Sequence, residues 1–267
     1  MELPMPALSK PADPALSQSW FLAIALPLAV VAAYLVMISV APRDAIPWLH
    51  EETGPVEVAT ALVFLAATIL SMVMAIRIKK VDPARPTYIV AAYVLVSLVS
   101  LFMLLEETSY GQHYFGFESP DVFQEHNKQQ ETNLHNLWND APSSTLRNIA
   151  NIALPMLGIV LPLIITLRPN WNYRRGSWSW YLFPRWELVL WVVLSMLISP
   201  IRKFGGWSDG DHIWRGTFSE FKELLWAFTG LVLLIVLYRR IFKIAPRTLA
   251  DATPAVTATD NTPQSQG

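Results

Sequence analysis

The chain has 267 residues, of which 53% are hydrophobic and only 15% are charged, against about 25% charged in a typical soluble domain. The formal net charge of -1 gives no overall attraction to nucleic acid, and the lack of cysteine excludes disulfides, iron–sulfur clusters and thiolate metal sites. Any bound metal would therefore use carboxylate and imidazole ligands.

Six apolar stretches predict an all-α integral membrane bundle of six transmembrane helices, because about 20 apolar residues in a helix cross the hydrocarbon core of a bilayer. The predicted spans cover about 20–40, 55–78, 87–105, 145–167, 183–201 and 217–238. They belong to a transmembrane domain at 19–244, which lies between predicted disordered tails at 1–18 and 245–267.

Basic residues predict which ends of the spans face the cytoplasm. They cluster at 77–85, 168–185 and 239–247, after the second, fourth and sixth spans. Since cytoplasmic loops carry an excess of lysine and arginine, both termini of this multi-pass protein are predicted to be cytoplasmic. The polar insertion at 106–144, between the third and fourth spans, then lies on the outer face and should form one or more interfacial helices.

Two adjacent carboxylates, Glu106 and Glu107, end the third predicted span. The carboxyl terminus of a helix carries partial negative charge and prefers cations, so two glutamates there break a local rule. Such a break is expected at a functional site, or where a bound cation compensates. The alternative is that the helix ends earlier and both side chains point into water.

A second pair, Glu131 and His135, lies four residues apart in the polar insertion and would share one face if the segment TNLHNLW were helical. A Glu/His pair one turn apart is a normal way for a helix to offer two ligands to a metal. Glu107, Glu131 and His135 are therefore the candidate ligands of a divalent metal such as zinc, manganese or iron. A solvated amphipathic helix on the membrane surface explains the pair equally simply.

The first functional hypothesis is an outward-facing enzyme that performs acid–base or metal-assisted chemistry on a lipid or lipid-linked substrate. Its candidate catalytic groups are Glu106, Glu107, Glu131 and His135. The candidate substrate-binding residues are Gln112, Asn127, Asn133, Arg202 and Arg215, of which the two arginines suit an anionic group.

The second hypothesis is a non-catalytic accessory subunit of a membrane complex, whose polar outer loops dock a protein partner. A transporter fits the sequence less well. Ion-coupled transporters place ionisable groups near the bilayer midplane, whereas the centres of the first four spans contain no acidic, basic or histidine residue.

The segment 106–137, with its stretches EETSYGQ and ETNLHNL, resembles a family of uncharacterised polytopic bacterial membrane proteins with an EExSWGQ…NxQxExNLHN-like motif. The positions that match this motif are Glu106, Glu107, Gln112, Asn127, Glu131, Asn133 and His135. His113 stands where the family pattern has arginine. The family has no assigned activity, so the resemblance implies a bacterial membrane protein and no particular reaction.

Overall fold

The computed structural model describes residues 20–49, 54–81, 86–127, 130–134, 149, 151–167, 177–207 and 212–244. Over these ranges the chain forms helices and the connections between them, so the predicted all-α fold class is confirmed for this part. The predicted tails at 1–18 and 245–267 lie outside the described residues.

The helices are named in chain order. They are α1 (Leu26–Val40), α2 (Ile46–Leu49), α3 (Pro55–Val81), α4 (Thr87–Glu107), α5 (Gln112–Phe115), α6 (Asp121–His126), α7 (Leu161–Leu167), α8 (Trp178–Leu182), α9 (Val189–Phe204) and α10 (His212–Tyr238). Turns of π-helix at Phe21–Ala25 and Met156–Val160 lead into α1 and α7, and another at Arg239–Ile244 follows α10.

Four helices are long and apolar enough to cross a membrane: Phe21–Val40, Pro55–Lys80, Thr87–Glu107 and Gly216–Phe242. They coincide with four of the six predicted spans, and they are compatible with an integral membrane protein. The fourth predicted span falls on Asn151–Ile165, an apolar but shorter helix. The fifth falls on α9, whose 16 residues rise only about 24 Å, less than the hydrocarbon thickness of about 30 Å.

The fifth predicted span is shorter than expected because its first residues do not join the helix. The backbone of Phe183 is extended, as is favoured for the residue before a proline, here Pro184. The Glu187 carboxylate then accepts a hydrogen bond from the backbone N–H of Arg185 at 2.7 Å, within the turn that precedes α9.

Helix α3 is the centre of the bundle and packs against both α4 and α10. α10 also packs against α9, and α9 against α1. One buried apolar cluster joins α1, α9 and α10, and a second joins α3, α4 and the end of α10. Because α4 and α10 both pack on α3, the amino-terminal ends of α3 and α10 lie beside the carboxyl-terminal end of α4. This end of the bundle carries the candidate site.

Buried aromatic residues fix the first helix to the rest of the bundle. The rings of Tyr34 and Phe221 stack with centroids 3.6 Å apart, and the Tyr34 hydroxyl donates to the backbone carbonyl of Thr217 at 2.8 Å. Trp191 on α9 donates its indole N–H to the carbonyl of Leu22 at 2.8 Å. Stacked aromatic pairs with a satisfied polar group contribute both burial and orientation.

The opposite end of the bundle is fastened by a buried ion pair. Arg240 lies 3.4 Å from the Glu187 carboxylate, and both side chains are largely buried. The same guanidinium donates to the backbone carbonyls of Phe183 at 2.8 Å and Trp180 at 3.3 Å. Arg240 therefore ties the end of α10 to the connection between α8 and α9.

Replacement of Arg240 by methionine should destabilise the protein by about 3–5 kcal/mol, because it leaves the Glu187 carboxylate buried without its counter-ion. Thermal unfolding of the purified protein in detergent measures the effect. The neighbouring Arg239→Met variant is the control, and equal melting temperatures for the two variants would contradict a structural role for the ion pair.

Candidate functional site

Four glutamates from three helices meet at the end of the bundle described above, and are called the carboxylate cluster: Glu57, Glu107, Glu220 and Glu223. Glu57 lies in the first turn of α3, Glu107 ends α4, and the other two lie on α10, three residues apart. Glu57 interacts electrostatically with Glu107, Glu220 and Glu223.

A carboxyl group donates a hydrogen bond when it is protonated and can only accept one when it is ionised. A cluster of carboxyl groups can therefore supply both a proton donor and a proton acceptor. This is the combination that acid–base catalysis uses.

The members of the carboxylate cluster differ in burial. Glu107 is 8% exposed, whereas Glu57, Glu220 and Glu223 are half-buried.

A lysine adjoins the cluster along α10 but its ammonium group lies elsewhere. The Lys222 Nζ donates to the Asn151 Oδ1 at 2.8 Å and lies 4.8 Å from the centroid of the Trp226 ring. Glu107 and Glu223 are charged neighbours of Glu57.

The neighbouring Glu106 faces the polar insertion. Its side chain is only 2% exposed; one carboxylate oxygen accepts from the Tyr110 hydroxyl at 2.7 Å, and the other accepts from the backbone N–H of Leu134 at 2.8 Å. α4 continues through Glu107, which overturns the alternative that the helix ends early and both glutamates point into water. Successive helical residues point about 100° apart, so Glu106 and Glu107 serve different surroundings.

Burial raises the pKa of the Tyr110 hydroxyl to about 12, and its hydrogen bond to the Glu106 carboxylate acts in the same direction. The phenol therefore keeps its proton, and its role as donor to Glu106, throughout the physiological pH range.

A left-handed turn connects α4 to the insertion. Ser109, Tyr110 and Gly111 have φ values of 44°, 54° and 85°, a conformation that side chains other than glycine adopt at a cost. Such strain persists only where the surroundings over-determine it. Here the turn places the Tyr110 hydroxyl beside Glu106 and the Ser109 hydroxyl beside Asn133.

The insertion is held by a polar network, called the loop network, around Asn127 and Asn133. The Asn127 Nδ2 donates to the Glu131 carbonyl at 2.7 Å and to the Asn133 Oδ1 at 2.8 Å. The Asn133 Nδ2 donates to the Ser109 Oγ at 3.2 Å and to the Glu131 Oε2 at 3.0 Å. Both asparagines are buried, so their amide groups replace water as partners of the loop backbone.

Gln112 closes the other half of the insertion. Its Oε1 accepts from the Ser119 hydroxyl at 3.0 Å and from the backbone N–H of Thr132 at 2.8 Å. The Ser119 hydroxyl also lies 2.7 Å from the Gln130 carbonyl. Gln112, Asn127 and Asn133 were predicted to bind substrate. In the structure their side chains make hydrogen bonds within the insertion and fix its conformation.

Glu131 and His135 were predicted to share one face on the condition that their segment is helical, and the described part of this segment is not. Residues 130–134 are not helical, because Asn127 binds the carbonyls of Glu131 and Asn133 and Gln130 has a φ of 59°. His135 itself lies outside the described residues. The imidazole closest to Glu131 in the described chain is that of His113, whose Nε2 is 3.9 Å from the Glu131 Oε1.

The described residues contain no group of three or more histidine and carboxylate side chains arranged to hold a metal ion. The proposed ligands Glu107 and Glu131 face different surroundings, the carboxylate cluster and the loop network. Arg202 is buried in the last turn of α9, and Arg215 lies in the first turns of α10 with its side chain outside the described part.

Sequence reasoning did not identify Glu57, Glu220 or Glu223 as site residues. All three lie in the first turns of apolar helices, where negative charge is ordinarily explained by the helix dipole. The signal that identifies them is topological: in an antiparallel bundle, glutamates that begin two helices meet a glutamate that ends the helix between them.

No protein-family model, curated protein or solved structure matches the chain. The candidate site therefore has to be interpreted from its own geometry.

Substitutions of Glu106 and Glu107 should have different effects in a hydrogen-exchange experiment. Glu106→Ala removes the acceptor of the Leu134 N–H, so the amides of residues 109–134 should exchange at least about tenfold faster, as expected for the loss of one charge-assisted hydrogen bond. Glu107→Ala, its matched neighbour, should leave exchange in this segment near the wild-type rate. Equal acceleration in both variants would show that the two carboxylates do not have separate roles.

Proposed function

We propose that the chain is an outward-facing, six-span enzyme of a bacterial inner membrane whose carboxylate cluster performs acid–base chemistry on a lipid or lipid-linked substrate. The observation that carries the proposal is the placement of Glu57, Glu107 and Glu220 at one end of three helices that pack together. Neighbouring carboxyl groups can serve as proton donor and proton acceptor.

The position of the cluster supports a lipid substrate. Glu107 ends an apolar helix of 21 residues, and Glu57 lies in the first turn of another, so the carboxyl groups lie where a membrane core would end. A head group at the bilayer surface would meet them directly. Ionisable groups near the membrane are a functional-site hypothesis by default.

The proposed roles follow from position and burial. Glu57 interacts with both Glu107 and Glu220, so it is the proposed group that passes a proton on. Glu107, the most buried member, is the proposed base, and the half-buried Glu220 is the proposed acid.

A divalent metal on Glu107, Glu131 and His135 stays a prediction of the sequence. Acid–base chemistry by the carboxylate cluster does not depend on it.

A docking role is a second candidate, supported by exposed apolar side chains on the short helices of the insertion. Phe115 is 82% exposed, and Tyr114, Phe117 and Val122 are exposed beside it. Exposed apolar patches of this kind mark membrane or protein contacts. If Phe115→Ser and Val122→Ser release a protein that co-purifies with the wild type, an accessory subunit would be favoured.

Glu107→Gln should slow conversion of the substrate by about 10²–10⁴-fold, the usual contribution of a general acid or base. The purified protein, in nanodiscs made from a bacterial total lipid extract, is incubated and the lipids are followed by mass spectrometry. The control is Glu118→Gln, an exposed glutamate of the insertion. Equal rates in the two variants, or a lipid profile that the wild type does not change, would refute catalysis by the cluster.

Because the chain contains no cysteine, single cysteines can test the proposed sidedness. A cysteine at Glu118 should react with a membrane-impermeant maleimide in intact spheroplasts. One at Lys79, an exposed position at the opposite end of α3, should react only after lysis. The reverse pattern would place the carboxylate cluster in the cytoplasm.

A further inference from the structure

The insertion after α4 buries polar side chains and exposes aromatic ones. Asn127 and Asn133 are buried and hydrogen-bonded to each other, whereas Tyr114, Phe115 and Phe117 are exposed. These three aromatic side chains are called the aromatic edge. Large apolar side chains that are exposed next to one another mark a surface that something apolar covers. The arrangement therefore indicates that the surroundings of the aromatic edge are less polar than water.

The aromatic edge lies directly beyond the end of α4. Gly111 comes a few residues after Glu107, the last residue of that helix. A Cβ atom on Gly111 would lie 2.8 Å from two ring carbons of Phe115, so the ring is packed against the Gly111 backbone. This contact fixes the aromatic edge at the level where α4 ends.

α4 has the length and the exposed surface of a membrane-crossing helix. Its 21 residues rise about 32 Å, which matches a hydrocarbon thickness of about 30 Å. Its exposed residues include Leu95 and Leu98 in the middle turns and Leu105 in the last turn, and the neighbouring α3 exposes Leu62 and Ile69. Aliphatic side chains exposed along a span suit contact with lipid chains. This surface continues to the end of α4, where the aromatic edge begins.

Exposed aromatic residues also mark both ends of the bundle. Tyr88 lies in the first turn of α4, and Trp178 begins α8, which packs against α4. At the other end, Trp48 lies on α2 and Phe204 ends α9, and both are exposed. Aromatic side chains collect at the two membrane–water interfaces. Two aromatic levels separated by the length of α4 favour a bilayer as the surroundings of the bundle, with the aromatic edge at one of its surfaces.

We propose that the aromatic edge inserts into the head-group region of the bilayer, so that lipid covers Tyr114, Phe115 and Phe117. The exposed carboxylates that follow, Glu118 and Asp121, then face water, because a charged group is costly to bury in lipid. The insertion is thus held by the loop network on its inner side and by the bilayer on its outer side. The proposal does not depend on acid–base chemistry at the carboxylate cluster.

The lack of cysteine allows a single nitroxide spin label to be placed at Phe115→Cys, with Glu118→Cys as the matched control three positions away. The full-length protein is held in nanodiscs of zwitterionic lipid. Collisions of the label with oxygen, which concentrates in lipid, are compared with collisions with a water-soluble nickel chelate. The label at Phe115→Cys should report a depth of about 5–10 Å within the bilayer surface, as the apolar side of an interfacial helix does. The label at Glu118→Cys should report water.

Tyr114→Cys provides a second labelled position that leaves the contact between Phe115 and Gly111 in place, and it should report the same depth. If the nickel chelate reaches both positions as readily as it reaches the control, the aromatic edge lies in water and the proposal is wrong. Shielding of both positions from oxygen as well as from the chelate would also overturn it, because protein would then cover the edge, as a docking role requires. Membrane depth at these positions without any lipid conversion would leave this inference standing and remove only the proposed catalysis.

Discussion

The candidate site depends on the packing of three helix ends that each carry a glutamate. Glu57 lies in the first turn of α3, Glu107 ends α4 and Glu220 lies near the start of α10, so the contacts of α3 with α4 and α10 bring these carboxyl groups to one end of the bundle. Ionised glutamates in contact repel one another. The packing of the three helices at this end is therefore coupled to the charge of the cluster.

The second constraint is the sharp change of direction after Glu107. α4 points Glu106 and Glu107 to different sides, and the left-handed residues Ser109, Tyr110 and Gly111 then fold the insertion back onto Glu106. The loop network and the carboxylate cluster thus share one helix end. Glu106 and Glu107 are adjacent in the chain, so the fold of the insertion and the position of Glu107 are set at the same helix end.

Much of the fold could be predicted because hydrophobic length is a strong, local signal, and four candidate spans occur where apolar runs predict them. The pair Glu106 and Glu107 was recognisable because it breaks the helix-dipole rule. Glu57 was not, because it obeys that rule, and only the contact between α3 and α4 gives it a second role. The shape of 130–134 was also not predictable from spacing. These residues do not form a helix, because their carbonyl groups accept hydrogen bonds from the Asn127 side chain. The partners of Asn127 are set by the fold of the insertion.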